Sequence, residues 1–186
     1  MINSFHYLIP YLPGGIGKSG GVNDNWFAPL SEKEILNAEK KMGQKFPSEL
    51  RKFYEEIGYG MLRSPHNPPP DYKFYSNNEI LPPQIAVDYM LGILEHPETD
   101  YFDNYYYMSE SAYEDLEPGD LPFFEIGDSS SFLIMKLNSE NPNAVWCDRD
   151  LKIEDSFEKF IWRLYYESPG FYGDIIEAFC RAQVVE

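Results

Sequence analysis

The chain has 186 residues, 43% of them apolar, and a formal net charge of −16. That length suits one domain, and the apolar share suits a packed core, which excludes global disorder. The acidic balance argues against nucleic acid and anionic membrane surfaces, because phosphate contact needs clustered Lys and Arg.

In chain order, residues 1–29 read as an irregular arm. Gly14, Gly15, Gly17, Gly20 and Gly21 loosen it, and its apolar ends, Tyr7–Leu12 and Trp26–Phe27, are expected to pack on the body. The patch Tyr7–Leu12 is split by Pro10 and precedes the first cation, Lys18, so no secretory signal is expected there. Helix one starts at Ser31. Ser31 and Glu34 have the spacing of a capping box, Ile35, Ala38 and Met42 share a face, and Gly43 is a left-handed stop. Glu32, Lys33, Glu39, Lys40 and Lys41 fall mainly off that face. After Gln44–Pro47 a second helix follows, capped by Ser48, with Leu50, Phe53, Tyr54 and Ile57 at helical spacing and Gly58 at its end.

A proline-rich loop, Pro65 to Pro70, leads to Tyr72–Tyr75, a short strand, and a turn at Asn77 and Asn78. Pro82 and Pro83 open a third, shorter helix through Ala86, Val87 and Met90. Residues 95–118 show no clean period and read as a long loop or a ragged helix. Leu121–Ile126 and Phe132–Leu137 read as strands of a hairpin joined by Gly127–Ser131, and Ala144–Asp148 as a third strand. Asp148–Asp155 is expected to end that strand and to lend negative charge to the next helix start. Glu154–Tyr166 reads as a helix with Phe157, Phe160, Ile161 and Leu164 on one stripe. A last amphipathic helix spans Tyr172–Ala182, with Ile175, Ile176 and Phe179 as its apolar side. Helices first, then a strand meander, then helices again gives an α+β domain with a mainly antiparallel sheet.

Charge is unevenly placed. From Phe74 to Met135 there is no Lys or Arg, while 13 Asp and Glu fall there. The same span holds Tyr101, Tyr105, Tyr106, Tyr107 and Tyr113. Such a one-signed field steers cationic partners and repels anionic ones. Three consecutive tyrosines, Tyr105 to Tyr107, cannot all face inward, so at least one ring is expected at the surface, where Tyr favours interfaces. A loop folded back with its rings as cover is the competing reading, and a merely solvated acidic surface is another.

Chemistry is poorly supported. Gly17-Lys18-Ser19 lacks the upstream Gly of a phosphate loop, since Leu12 stands there, and no helix start follows. His6, His66 and His96 are isolated, so no metal and no cofactor are expected. Carboxylate pairs such as Asp148 with Asp150 arise by chance among 31 acids. Cys147 ends an apolar strand, Cys180 is far away, and both are expected as buried free thiols of a cytoplasmic protein. The longest apolar runs, Tyr89–Leu94 and Phe132–Leu137, are too short to span a bilayer.

Several segments together resemble the SUKH superfamily. They are Leu30-Ser31-Glu32-Lys33-Glu34-Ile35, Glu39-Lys40-Lys41-Met42-Gly43, Phe46-Pro47-Ser48-Glu49-Leu50 and Phe53-Tyr54 to Gly58. Further along come Leu121-Pro122-Phe123-Phe124 with Gly127-Asp128, Val145-Trp146 and Ser156-Phe157-Glu158-Lys159-Phe160-Ile161. The resemblance covers roughly residues 30–165. It implies a twisted antiparallel sheet against helices, and a SUKH-like domain over 30–186 with the 1–29 arm packed on it. It also implies a non-enzymatic binder: in bacteria mostly an immunity protein for a polymorphic toxin, often a nuclease or deaminase, and in fungi a signalling scaffold. The chain departs from the pattern in its long arm, in an acidic, Tyr-rich insert near 94–118, and in its last helix.

The resulting expectation is a cytoplasmic immunity protein that binds a basic toxin stoichiometrically, with no nucleic-acid or membrane partner. Its oligomeric state is left open between monomer and weak dimer. The expected contact residues are Asp100, Tyr101, Asp103, Tyr105, Tyr106, Tyr107, Glu110, Glu114, Asp115, Glu117 and Asp128. A general interaction scaffold is the alternative. A ligand pocket lined by Trp26, Tyr72 or Trp146 is the third.

Overall fold

A computed structural model describes residues 4–13, 25–68, 78–96, 106–126, 131–147 and 150–183. A 3-10 helix, His6–Tyr11, precedes strand β1, Trp26–Ala28. Helices α1, Glu32–Met42, and α2, Ser48–Glu56, lead to β2, Tyr59–Met61. Then come β3, Asn78–Ile80, α3, Pro83–Met90, a two-stranded ribbon of β4, Glu95–His96, and β5, Tyr106–Tyr107, and α4, Glu110–Glu114. The chain continues through β6, Asp120–Ile126, β7, Ser131–Lys136, β8, Val145–Cys147, and β9, Leu151–Glu154. It closes with α5, Phe157–Tyr166, and α6, Phe171–Gln183. Among the described residues, seven strands form one sheet in the order β1-β2-β3-β6-β7-β8-β9, with every neighbour antiparallel. This is the α+β architecture expected from the order of elements.

Local chemistry explains the helix ends. The Ser31 hydroxyl accepts the Glu34 N–H at 3.3 Å, and the Glu34 carboxylate accepts the Ser31 N–H at 2.8 Å. Gly43 then stops α1 at φ 84°. Helix α2 differs from expectation: Pro47 is its cap residue and has no side-chain acceptor to offer. The amide of Glu49 instead donates to Asn143 Oδ1 at 3.0 Å, a partner 94 residues away. Glu39, expected off the apolar face, is buried and accepts the Phe46 N–H at 3.2 Å and Arg51 Nε at 2.9 Å. Glu154 does not open α5, because it ends β9; Ser156 caps the helix by accepting the Lys159 N–H at 3.2 Å.

The core is aromatic and joins distant segments. Phe5 lies 5.0 Å from Phe53, Phe53 lies 5.4 Å from Phe157, and Phe157 lies 5.6 Å from Phe123, ring centre to ring centre, mostly edge-on. Phe5, Leu8 and Phe27, from either side of the Gly-rich stretch, are all buried. β1 can approach β2 only because Gly60 has no side chain: a Cβ there would stand 2.2 Å from the Trp26 carbonyl oxygen. Both cysteines are free, but only Cys147 is buried. Cys180 is exposed, because α6 buries Phe171 and Tyr172 at its start while its last residues, Arg181 and Ala182, stand in solvent. The expected strand at Tyr72–Tyr75 and the hairpin turn at 127–130 lie outside the described residues.

Candidate partner-binding surface

Where a long loop or ragged helix was expected over 95–118, the described residues form a two-stranded ribbon and the short helix α4. In β5 and the residue after it, Tyr106 is 4% exposed, Tyr107 is 42% exposed and Met108 is fully buried. A strand sends successive side chains to opposite faces, so one tyrosine anchors the segment and the next is presented. The Met108 N–H donates to the Leu94 carbonyl at 2.9 Å, which closes the ribbon. Ser109 then caps α4 by accepting the Ala112 N–H at 3.2 Å.

On the other side, α3 ends in a turn where Gly92 has φ 80°. Tyr113 of α4 lies against it, so a Cβ at Gly92 would meet the Tyr113 hydroxyl at 2.9 Å. Leu91, Ile93, Tyr107 and Tyr113 are all more than a third exposed. A shallow groove runs between Ile93 and Glu95 on one bank and Tyr107, Ser109 and Glu110 on the other.

The acids of the cation-free span divide by role. Glu79, Asp88 and Asp120 are buried. Asp88 is bound by Lys41 and accepts Gln84 Nε2 at 2.8 Å. Asp120 accepts the Glu117 N–H at 3.0 Å. Glu79 sits in the middle of the sheet and accepts the Tyr106 hydroxyl at 2.7 Å. Burial raises its pKa from the ordinary 4.5 to about 7, against the opposing pull of that hydrogen bond and of the nearby Arg63.

Glu95, Glu110, Glu114, Asp115 and Glu117 are exposed. Among the described residues, Glu95, Glu110, Glu114 and Asp115 make no ion pair. Several acids elsewhere meet cations of the same chain: Glu39 and Glu55 meet Arg51, Glu158 meets Lys52, and Glu154 meets Lys159 and Arg163.

Of the residues expected at the contact, Tyr107, Glu110, Glu114, Asp115 and Glu117 fall on this surface. Tyr106 does not: its ring is core, and it holds the segment down. Asp100, Tyr101, Asp103, Tyr105 and Asp128 lie outside the described residues. Reading along the sequence missed Leu91 and Ile93; a continuous apolar run carries no sign of which residues emerge past the end of α3. Of the residues named for a ligand pocket, Trp26 and Trp146 do not share one site, because β1 and β8 stand near opposite edges of the sheet. Trp146 instead carries Lys136 and Lys152 over its ring at 4.8 and 5.8 Å. Tyr72 lies outside the described residues.

Among the described residues no group of His, Cys, Asp and Glu could hold a metal ion, and no helix is long and apolar enough to cross a membrane. No solved structure matches the chain. A similar curated protein is "Immunity protein YxxD" of Bacillus subtilis (strain 168). It is 31% identical over 160 residues, which cover 86% of this chain and 95% of the relative. The model of the SMI1/KNR4 family (SUKH-1) matches residues 29–163. The match spans α1 through most of α5 and takes in the whole seven-stranded sheet except its first strand, so the chain belongs to the SMI1/KNR4 (SUKH-1) family.

Proposed function

We propose that this chain is an immunity protein that binds a cognate polymorphic toxin one-to-one and blocks it without doing chemistry. The toxin is a basic, nuclease-type domain. It docks on the 91–117 surface, with Asp100, Tyr101, Asp103, Tyr105 and Asp128 as further contacts. One observation carries the docking site: four exposed carboxylates that make no ion pair among the described residues share a segment with four exposed apolar or aromatic side chains, in a span that has no cation of its own. The relative named an immunity protein supports the role, since it aligns over nearly its full length.

The physics suits a fast, tight complex. Opposite charge can raise association from about 10⁶ M⁻¹s⁻¹ towards 10⁸ M⁻¹s⁻¹ at low salt. Carboxylates give little net affinity once desolvated, so lifetime must come from buried aromatic anchors such as Tyr107 and Tyr113, where truncation of a hot spot costs about 2 kcal/mol or more. A contact of standard size, about 1,600 Å² in total, would suffice. The test is co-expression with the C-terminal domain of the toxin encoded beside this chain's gene. A 1:1 complex that survives gel filtration in low salt and abolishes the toxin's activity is the expected result. Two separate peaks in low salt would end this reading.

A further inference from the structure

Beside the acidic surface lies a second hollow. It is a cleft of about 320 Å³ between α4, the β6–β7–β8 part of the sheet and α6. Ala112 and Leu116 form one wall, Ile176 another, and Ile126, Ile134 and Cys147 lie along the sheet. Ala112, Leu116, Ile126 and Ile176 are only half-buried, so part of their apolar surface faces solvent within the cleft. At its mouth stand Asp115, which is exposed and makes no ion pair among the described residues, and Ser131.

Among the described residues, none that lines the cleft is a cation. Lys136 and Lys152, on neighbouring strands, are drawn onto the Trp146 ring, and Arg181 of α6 is held by Glu177. The hollow is at the lower end of ligand-site volumes, which run from about 300 to 1,000 Å³. That suits one or two side chains better than a cofactor. It shares helix α4 with the proposed docking surface, so a protein seated on Glu110, Glu114 and Asp115 extends over its mouth.

We propose that this cleft receives an aliphatic side chain of the cationic partner, inserted from a segment whose basic residues meet Asp115 and Glu114. The inference rests on the toxin-binding reading and adds to it the anchor. Charge sets the occupant: an aliphatic side chain with acidic neighbours would be repelled at the Asp115 rim, and one flanked by Lys or Arg is drawn in. Burial of the apolar walls then slows dissociation, the step in which affinity differences mostly lie.

The experiment uses the full chain and the toxin domain encoded beside its gene. Ala112→Trp fills the cleft, Ile176→Trp fills it from the opposite wall, and Glu114→Lys with Asp115→Lys reverses the rim. The expected result is at least tenfold weaker binding for each tryptophan variant, mainly through faster dissociation, with the salt dependence of association kept. The unmodified protein gives a second readout. A small thiol reagent should label Cys147 more slowly once saturating toxin is bound, while labelling of the exposed Cys180 serves as the reference.

Wild-type binding by both tryptophan variants overturns the cleft. So does an unchanged Cys147 labelling rate, which needs no variant to fold. If the lysine variant alone loses binding, the acidic surface stands and the cleft falls. If the lysine variant also binds like wild type, the docking site itself falls. Dimerisation of the chain that is lost with Ala112→Trp, or a small apolar molecule recovered from the cleft, would assign it another occupant and overturn the proposal.

Discussion

Glu79 is a carboxylate placed where a carboxylate is costly. It lies in β3, directly across from Glu125 in β6 and from Met61 in β2, and its carboxylate is held by Tyr106. The folded protein keeps its proton up to about pH 7, while the unfolded chain gives it up near 4.5. Below both values the two states bind the proton alike. Between them the folded state alone holds it, so stability falls as pH rises through this window and levels off above pH 7. Glu79→Gln can still accept the Tyr106 hydroxyl but carries no charge. The variant is expected to match wild type at pH 4 and to exceed it by roughly 3 kcal/mol at pH 8, at about 1.4 kcal/mol per pKa unit. Urea midpoints at pH 4, 6 and 8 measure this; equal midpoints at pH 8 would show that the fold does not raise the Glu79 pKa. The same residue pair marks a limit of sequence reading. Three tyrosines in a row declare that some ring must emerge, because strands alternate. Which one emerges depends on the register of β4 with β5, and two-residue strands leave no periodicity from which to read it.

At the scale of elements, the N-terminal segment is tied to the body by the buried Phe5 and Leu8 and by Tyr7, stacked on Tyr165 at 5.0 Å. Phe5 is fully buried and meets Phe53 of α2 edge-on at 5.0 Å and Phe157 of α5 at 6.1 Å. Phe5→Ala is expected to cost about 3–5 kcal/mol, the range for a large core ring whose cavity cannot fully close. Loss of only a few tenths in a chemical melt would mean that the segment is not part of the folded core. α1 was legible because its cap, stripe and glycine stop agree with one another, at Ser31, Glu34 and Gly43; α2 and α5 were legible from their apolar stripes, although their starts were misplaced. α3 was legible from its prolines. β1, β2 and β3 were not, since three residues cannot display a period of two, and their pairing depends on Gly60 letting two backbones touch. β9 was hidden for a different reason: Asp150, Glu154 and Asp155 look like helix-start chemistry, yet Glu154 turns inward to meet Lys159 and Arg163 of α5. At the docking surface, the exposed acids of α4 were legible by composition. The buried acids Glu79, Asp88 and Asp120 were not, because formal charge is blind to depth.

Across the whole molecule charge pairing is uneven. Several acids outside the insert meet cations of the same chain, while Glu95, Glu110, Glu114 and Asp115 make no ion pair among the described residues. Replacing Glu110, Glu114 and Asp115 with Lys changes the net charge by +6. It is expected to slow toxin association at least tenfold at low salt and to flatten its salt dependence, while thermal stability stays the same or rises as self-repulsion eases. Stopped-flow association rates at two ionic strengths decide it, and an unchanged rate would place the contact elsewhere. The bond from Met108 to Leu94 bears on how such a protein can diversify. It pins together the two ends of the chain between positions 94 and 108, and Tyr106 and Met108 root the returning end in the core. Whatever runs between those ends can be lengthened or rewritten at little thermodynamic expense, since doubling a loop costs about 0.6 kcal/mol. A lineage facing a new adversary can therefore exchange that stretch and inherit the rest of the scaffold unaltered.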